Sequence, residues 1–435
     1  EKGDDTGLPD FGKEIATVSE HQYGPLLFLS GGSQNGAFGA GFLDGWNIAR
    51  GLPEFSIVTG VSTGGLQATG AFIRNTELTI AGYEIDKESD ILETYVSGVD
   101  VHGKDGKGGN VSSQAIVTAL RKGAFSDLTP LRGRLDRLLT PEVLDEVGQG
   151  YNSGRRLYVA ATDVDLGSAV AFDLSELANR YRQIRSQPEK TAADEKRMKK
   201  LKSCYIDALL ASAIVPPGAR PVFIDNRMYI DGGVHYAAFA DDIGEMLADR
   251  TEDKILPRTS AYEAPRDVYL LLNGDGAIDT QCEKINQDSD CSLASSINGA
   301  RDKWNLAELG FRSLSMLTKQ VQRLSLERAF AKGRQNATRA HFARIRAEDM
   351  DEDTFPLPSA DFHEQPCNGW KRIDWETDQP LEFYPRYMHC LIYYGRMRGR
   401  EFDWDAVRLF SGDPKTGPIT PSIEVEPPPV VVPVR

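Results

Sequence analysis

Two glycine-framed turns, Gly31-Gly32-Ser33-Gln34-Asn35-Gly36 and Gly60-Val61-Ser62-Thr63-Gly64, each follow a short apolar run and precede small and apolar residues at helical spacing. A strand that passes through glycine directly into a helix is the repeating unit of an α/β fold with a mostly parallel sheet, and here it occurs twice in succession. Residues 25–30 and 55–59 read as the buried strands, and residues 36–48 and 62–73 as the helices that follow them.

The same reading extends downstream. Residues 156–162 make a strong strand pattern with 169–173 as its partner. The highly charged stretch 183–202 reads as a solvated helical insertion, and 204–213 as an apolar helix stopped by Pro216 and Pro217. Asp225-Asn226-Arg227 joins two short apolar runs as a hairpin that leads into Asp231-Gly232-Gly233, and residues 267–272 add a buried strand. The expected organisation is a flexible extension over residues 1–23, a main domain over 24–410 and a Pro-rich tail over 411–435.

Composition narrows the partners. The chain of 435 residues carries a net charge of −14, with acidic residues spread along its length. That disfavours nucleic acid, which needs a basic surface, and a purely electrostatic grip on anionic lipid. No apolar run reaches the roughly 20 residues that span a bilayer. The chain begins at Glu1, so its N-terminus does not report the compartment. Of the five cysteines, Cys282 and Cys291 bracket a polar loop, Cys367 and Cys390 make a second candidate pair, and Cys204 is left free in an apolar helix. Five reduced thiols in a cytosolic enzyme is the competing reading. No Cys/His spacing fits zinc, and Asn273, Asp275 and Asp279 lack calcium-loop spacing, so no metal or cofactor is expected.

The second turn has the G-x-S-x-G form, which sets Ser62 at the tip of a sharp strand-to-helix elbow, with Gly60 and Gly64 letting strand and helix approach. The bland alternative is a tight βα turn without chemistry. The first turn offers converging backbone N–H groups at Gly31, Gly32 and Ser33 ahead of a helix that starts near Gly36, a setting for an oxyanion or a phosphate. Two nucleotide patterns fail there: Gly36-Ala37 replaces the Gly-Lys of a P-loop, and no G-x-G-x-x-G register exists in residues 31–41. A serine nucleophile facing backbone donors is the minimum for acyl transfer. Its base is open between Asp231 acting directly and a histidine. Of six histidines (His21, His102, His235, His341, His363 and His389), only His235, just beyond Asp231, falls in a suitable turn.

These motifs in this order resemble the patatin-like phospholipase family: a glycine-rich loop at 31–36, G-x-S-x-G at 60–64, and Asp231-Gly232-Gly233. Ala211-Ser212-Ala213-Ile214-Val215-Pro216 resembles the small-residue helix and proline that precede the family's aspartate, and Thr162-Asp163-Val164-Asp165 resembles the stretch at its mid-domain strand. The likeness covers about residues 25–240, leaving a divergent remainder at 241–410. It implies a three-layer α/β/α fold and hydrolysis of lipid acyl esters of the phospholipase A, lysophospholipase or esterase type, without calcium. It also implies a Ser62–Asp231 dyad, an oxyanion hole at Gly31, Gly32 and Ser33, and supporting roles for Gly36, Gly60, Gly64, Gly232 and Gly233. The chain departs from the family pattern at Ser33, where a third glycine is common, and at Asn35, where a basic residue is common. Loss of that charge shifts weight towards neutral esters and lysophospholipids. The run from Ser33 to Gly41 most resembles envelope-associated bacterial members, which implies a periplasmic or secreted location, lipid-anchored ahead of Glu1, with the cytoplasm as the alternative. The partners implied are a lipid or ester substrate and peripheral membrane contact; oligomeric state is not implied.

A non-catalytic lipid or protein binder on the same fold is the rival from another class, supported only by Ser33 and Asn35. The stripe Trp304, Leu306, Leu309, Phe311, Leu314, Leu317, Val321 and Leu324 reads first as a helix packed on the core, and second as a lid or lipid-facing element.

Overall fold

The apolar runs ahead of the two glycine turns become adjacent parallel strands, β1 (Leu26–Leu29) and β2 (Ile57–Val61), paired in register from Leu26 with Ile57 to Leu29 with Gly60. The computed structural model describes residues 24–94, 121, 124, 126–215, 218–235, 267–275, 317, 320–321, 324–325, 339–355, 364–378, 380, 382–407 and 425–426. After β1 comes α1 (Gly36–Arg50), and after β2 come α2 (Thr63–Ile73) and α3 (Thr76–Tyr83). Next are α4 (Thr129–Leu138), α5 (Pro141–Asn152), β3 (Arg156–Asp163), β4 (Ser168–Asp173), α6 (Leu174–Arg185) and α7 (Ala192–Ala213). The hairpin β5 (Val222–Ile224) and β6 (Arg227–Asp231) follows, and then β7 (Asp267–Leu271), β8 (Arg339–Ala343), α8 (Cys367–Thr377) and α9 (Pro385–Glu401).

Among the described residues the main sheet has eight strands, ordered β8-β7-β1-β2-β3-β6-β5 with β4 also on β3. The five from β8 to β3 run parallel, and β4, β5 and β6 are antiparallel additions. With helices flanking the sheet, this is a three-layer α/β/α fold with a mostly parallel centre. One detail of β3 governs the site. Along one edge it pairs with β2 over Arg156–Ala160, and then with β6 over Ala161–Asp163. β4 pairs with β3 across both stretches, so it takes the other edge. Strands β2 and β6 therefore meet end to end along β3, Val61 opposite Ala160 and Asp231 opposite Ala161.

Buried Arg155 clamps the far side of the elbow. Its Nε donates to the Phe55 carbonyl at 2.7 Å, another guanidinium nitrogen donates to the Phe72 carbonyl, and the group stacks over the Phe72 ring. It thereby ties the residues before β2 to the end of α2.

α9 packs on α1 at glycine distance. A Cβ at Gly41 or Gly45 would lie 2.1 or 2.0 Å from the carbonyl oxygens of Ile392 and Arg396, and one at Gly395 or Gly399 would lie 2.2 or 2.1 Å from those of Phe38 and Phe42. The Cys367–Cys390 disulfide staples α8 to α9, and Cys204 is free and half-buried. Cys282 and Cys291 lie outside the described residues.

Some boundaries differ from those read in the sequence. The charged stretch 183–202 is not a single insertion: α6 ends at Arg185, and α7 starts at Ala192 behind a Thr191–Asp194 capping box. The apolar helix expected at 204–213 is the second half of that same helix. Strand β2 runs two residues later than expected, because Gly60 and Val61 stay extended up to the elbow. The hairpin turn falls at Asp225 and Asn226, both with positive φ, as a tight antiparallel connection requires. In the amphipathic stripe, Leu317 and Leu324 are exposed, so these two do not pack on the core; Trp304 to Leu314 lie outside the described residues. No described helix is long and apolar enough to cross a membrane.

Candidate active site

Strand register delivers the site residues to one place. With Leu29 beside Gly60 on one side and Leu271 on the other, the chain beyond the strand ends brings Gly31 next to Ser62 and the 31–32 peptide next to Asn273. A Cβ at Gly31 would lie 3.2 Å from Ser62 Cβ and 3.8 Å from its Oγ. Asp231 arrives from the opposite direction, at the end of β6.

Ser62 has φ 55° and ψ −125°, a backbone conformation that L-residues rarely adopt and that costs on the order of 1–3 kcal/mol. Its surroundings over-determine it. The Ser62 N–H donates to Ser212 Oγ at 2.9 Å, and its carbonyl accepts from Gly65 N–H at 2.9 Å. A Cβ at Gly60 would sit 2.4 Å from the Gly64 carbonyl oxygen, and one at Gly64 2.2 Å from that of Leu29, so glycine is required at both. Behind the elbow, the buried Tyr83 hydroxyl donates to the Thr63 carbonyl and shares a hydrogen bond with the Thr63 hydroxyl, both at 2.6 Å. Ser212 belongs to the small-residue stretch singled out in the sequence, and here that stretch has a concrete task at the elbow.

Asp231 is 3% exposed. Burial raises its pKa from 3.8 to about 6; the Ser62 hydroxyl and the Gly233 N–H pull it down, and the charge of Glu382 adds to the rise. Oδ1 accepts from Gly233 N–H at 2.6 Å, while the buried Oδ2 has no well-formed hydrogen bond. The Asp231 N–H donates to the Ile214 carbonyl at 2.7 Å and its carbonyl accepts from Thr162 Oγ1 at 3.0 Å, which fixes the backbone. Gly232 backs against Ala160, and its Cβ would lie 2.7 Å from that carbonyl oxygen. His235 is exposed at the far end of the 232–234 turn.

The first loop is built differently. Among the described residues, no acceptor takes the N–H of Gly31, Gly32 or Ser33. Just beyond them begins α1, and just beyond Ser62 begins α2, so two helix N-termini favour negative charge here. The loop's shape rests on Asn273, a buried residue. Its backbone N–H donates to Ser30 Oγ at 2.9 Å, and its Nδ2 donates to the Ser30 carbonyl at 2.7 Å and to Gln67 Oε1 at 3.1 Å. Gln67 Nε2 in turn reaches the Gly36 carbonyl at 2.6 Å. Gly32 passes so near that a Cβ would fall 1.8 Å from the Asn273 carbonyl oxygen.

The outer side of the loop is held by the C-terminal segment. Ser33 Oγ donates to Glu382 Oε1, Gln34 Oε1 accepts from Tyr384 N–H at 3.2 Å, and Asn35 Oδ1 accepts from the Tyr387 hydroxyl at 3.2 Å. Sequence reasoning did not find these partners. In the sequence Asn273 reads only as a metal ligand without the right spacing; among the described residues no cluster of His, Cys, Asp or Glu suits a metal, and Asp279 lies outside them.

The arrangement offers a strained serine hydroxyl, a buried carboxyl that titrates near pH 6, and open backbone donors, all at the carboxyl ends of parallel strands. That is the layout of an α/β acyl hydrolase. Residues 27–242 match the family model for Patatin-like phospholipase, and this segment belongs to that family, whose members are lipid acyl hydrolases. No curated protein matches the sequence significantly. Among solved structures, VipD from Legionella pneumophila is similar at 11% identity with a TM-score of 0.33, over 88% of this chain and 67% of that one. The likeness is too distant to bear on function.

Proposed function

We propose that the protein hydrolyses carboxylic esters of lipids through a Ser62–Asp231 dyad and an acyl-enzyme. The observation that carries this reading is the buried Asp231 carboxyl at the end-to-end junction of β2 and β6, raised to about 6, with Oδ2 left without a hydrogen-bond partner among the described residues. An ordinary carboxylate is a weak base towards an alcohol, and one raised by burial is a better proton acceptor near neutral pH. Asp231 takes the Ser62 proton as Oγ bonds to the ester carbonyl carbon. The oxygen's developing charge is received by the N–H groups of Gly31, Gly32 and Ser33. Collapse of this intermediate breaks the ester bond, with the departing alcohol taking the proton from Asp231. Water, deprotonated by Asp231, then adds to the acyl-Ser62 carbonyl, and the fatty acid leaves with Ser62 regenerated.

Asp231 is buried and the Ser62 hydroxyl acts on its carboxyl, whereas His235 is exposed, which favours the dyad over a triad. The binder reading loses its support, because Ser33 and Asn35 have structural partners in the C-terminal segment. Neutral esters and lysophospholipids are the proposed substrates. Exposed Val164, Leu166, Phe223 and Val234 lie on elements bordering the site and support contact with a lipid surface. The Cys367–Cys390 disulfide supports an extracytoplasmic location. Fluorophosphonate labelling and p-nitrophenyl ester turnover test the chemistry: both should be lost in Ser62→Ala. Turnover retained by that variant would sink the dyad.

A further inference from the structure

The loop that carries the open N–H groups has no positively charged side chain: Ser33, Gln34 and Asn35 are all neutral. The charge placed directly on it is negative. The Glu382 carboxylate accepts the Ser33 hydroxyl, and its field reaches Asp231. Glu382 is held in that position on several sides. Glu88 Oε1 accepts the N–H groups of Glu382 and Phe383 at 2.6 and 2.9 Å, and the next residues are tied to Gln34 and Asn35 by Tyr384 and Tyr387. No cation pairs with Glu382 among the described residues; burial pushes its carboxyl up against the Ser33 hydrogen bond, and the neighbouring charge, that of Glu88, adds to the rise. The residue as a whole is nonetheless exposed to solvent.

We infer that Glu382 determines substrate charge: it disfavours esters carrying an anionic group next to the scissile bond and favours those carrying a cationic one. This rests on the ester hydrolase reading above. The transient oxyanion is held by N–H groups at contact distance. A permanent charge on the alcohol portion must lie further out, where the Glu382 field acts on it. The residue comes from outside the family-matched segment, so the selectivity belongs to this chain's own C-terminal part.

Steady-state kinetics with butyrate esters of p-nitrophenol (neutral), thiocholine (cationic) and a hydroxynitrobenzoate (anionic) test the inference in wild type and Glu382→Gln. Glutamine keeps an acceptor for Ser33, and ratios to the neutral ester cancel any general change in activity. In the variant, the anionic-to-neutral ratio of kcat/KM should rise by about fivefold to tenfold, and the cationic-to-neutral ratio should fall by a similar factor. Wild type alone supplies a second reading, since raising salt should compress its preference in the same sense. Ratios that stay fixed, or that move together in both comparisons, would overturn the inference and mark Glu382 as a support for the loop. A wild type that turns over none of the three in a Ser62-dependent manner would overturn the hydrolase reading, and this one with it.

Discussion

The elbow at Ser62 and the loop at Gly31–Asn35 stand side by side, yet they are secured in opposite ways. The elbow is fixed by its own glycines and by contacts that all come from within the family-matched segment, from Gly65 and Tyr83 nearby in sequence and from Ser212 far along it. The loop makes few bonds of its own and is held between two distant parts of the chain, Asn273 on the inner side and Glu382–Tyr387 on the outer. The nucleophile turn is thus secured from within the family-matched segment, whereas the loop that receives charge is secured from outside it. Damage to each should have a different signature.

The largest effect is expected on the elbow side. Asp231→Asn should lower kcat/KM by about a thousandfold or more, while the folded protein gains stability. In wild type the native pKa of Asp231 lies above its ordinary value, 3.8, at about 6. The native state therefore holds its proton more tightly, and relative stability is lost as pH rises through that interval. Asparagine avoids the loss, so melts at pH 8 should favour the variant by up to about 3 kcal/mol, and melts below pH 4 should not. The same titration predicts that wild-type kcat/KM falls as pH drops below about 6, because the protonated carboxyl is no base. A flat acid limb would remove Asp231 from the mechanism.

On the loop side the next effect is Asn273→Ala. It removes the amide bonds to Ser30 and Gln67 and should reduce kcat by about a hundredfold, the scale of a misplaced oxyanion donor. Fluorophosphonate labelling of Ser62 should slow but persist, since the elbow does not depend on Asn273. Complete loss of labelling would mean the two turns are not independent.

Separating the C-terminal staple is milder for chemistry. Replacing Cys367 and Cys390 by serine opens a crosslink of sequence separation 23 and should lower stability by about 3 kcal/mol, read from denaturant midpoints, with activity changed less than in Asn273→Ala. The smallest effect belongs to Tyr387→Phe, which deletes one hydrogen bond to Asn35; about 1 kcal/mol of stability and a few-fold in activity are expected. A larger loss of activity there would make the outer support as important as the inner.

The same asymmetry explains what could be read from the sequence. Strand, glycine turn, serine and helix are contiguous, so Ser62 was visible, and Asp231 was visible because its hairpin and glycines are contiguous too. The mostly parallel α/β sheet followed from that repeated unit, and the three-layer arrangement from the family resemblance. Asn273 sits in a stretch whose spacing fits no calcium loop and signals nothing else, and only the pairing of Leu29 with Leu271 reveals its task. Glu382 and Tyr387 carry no local signal, since their partners lie at the other end of the chain. Asn35 read as a missing positive charge; in the structure its side chain meets a tyrosine.

The end-to-end meeting of β2 and β6 along one edge of β3 makes the spacing between serine and carboxylate a matter of whole residues rather than of adjustable distance. Side chains alternate faces along a strand, so sliding β6 by one residue would present Ile230 where Asp231 stands and turn the carboxylate to the opposite side of the sheet. Length changes at the Asp225–Asn226 turn leave that count untouched, whereas one residue added between Arg227 and Asp231 does not. Within this short strand the chain can drift in composition but not in number, and the reacting pair is kept together by counting.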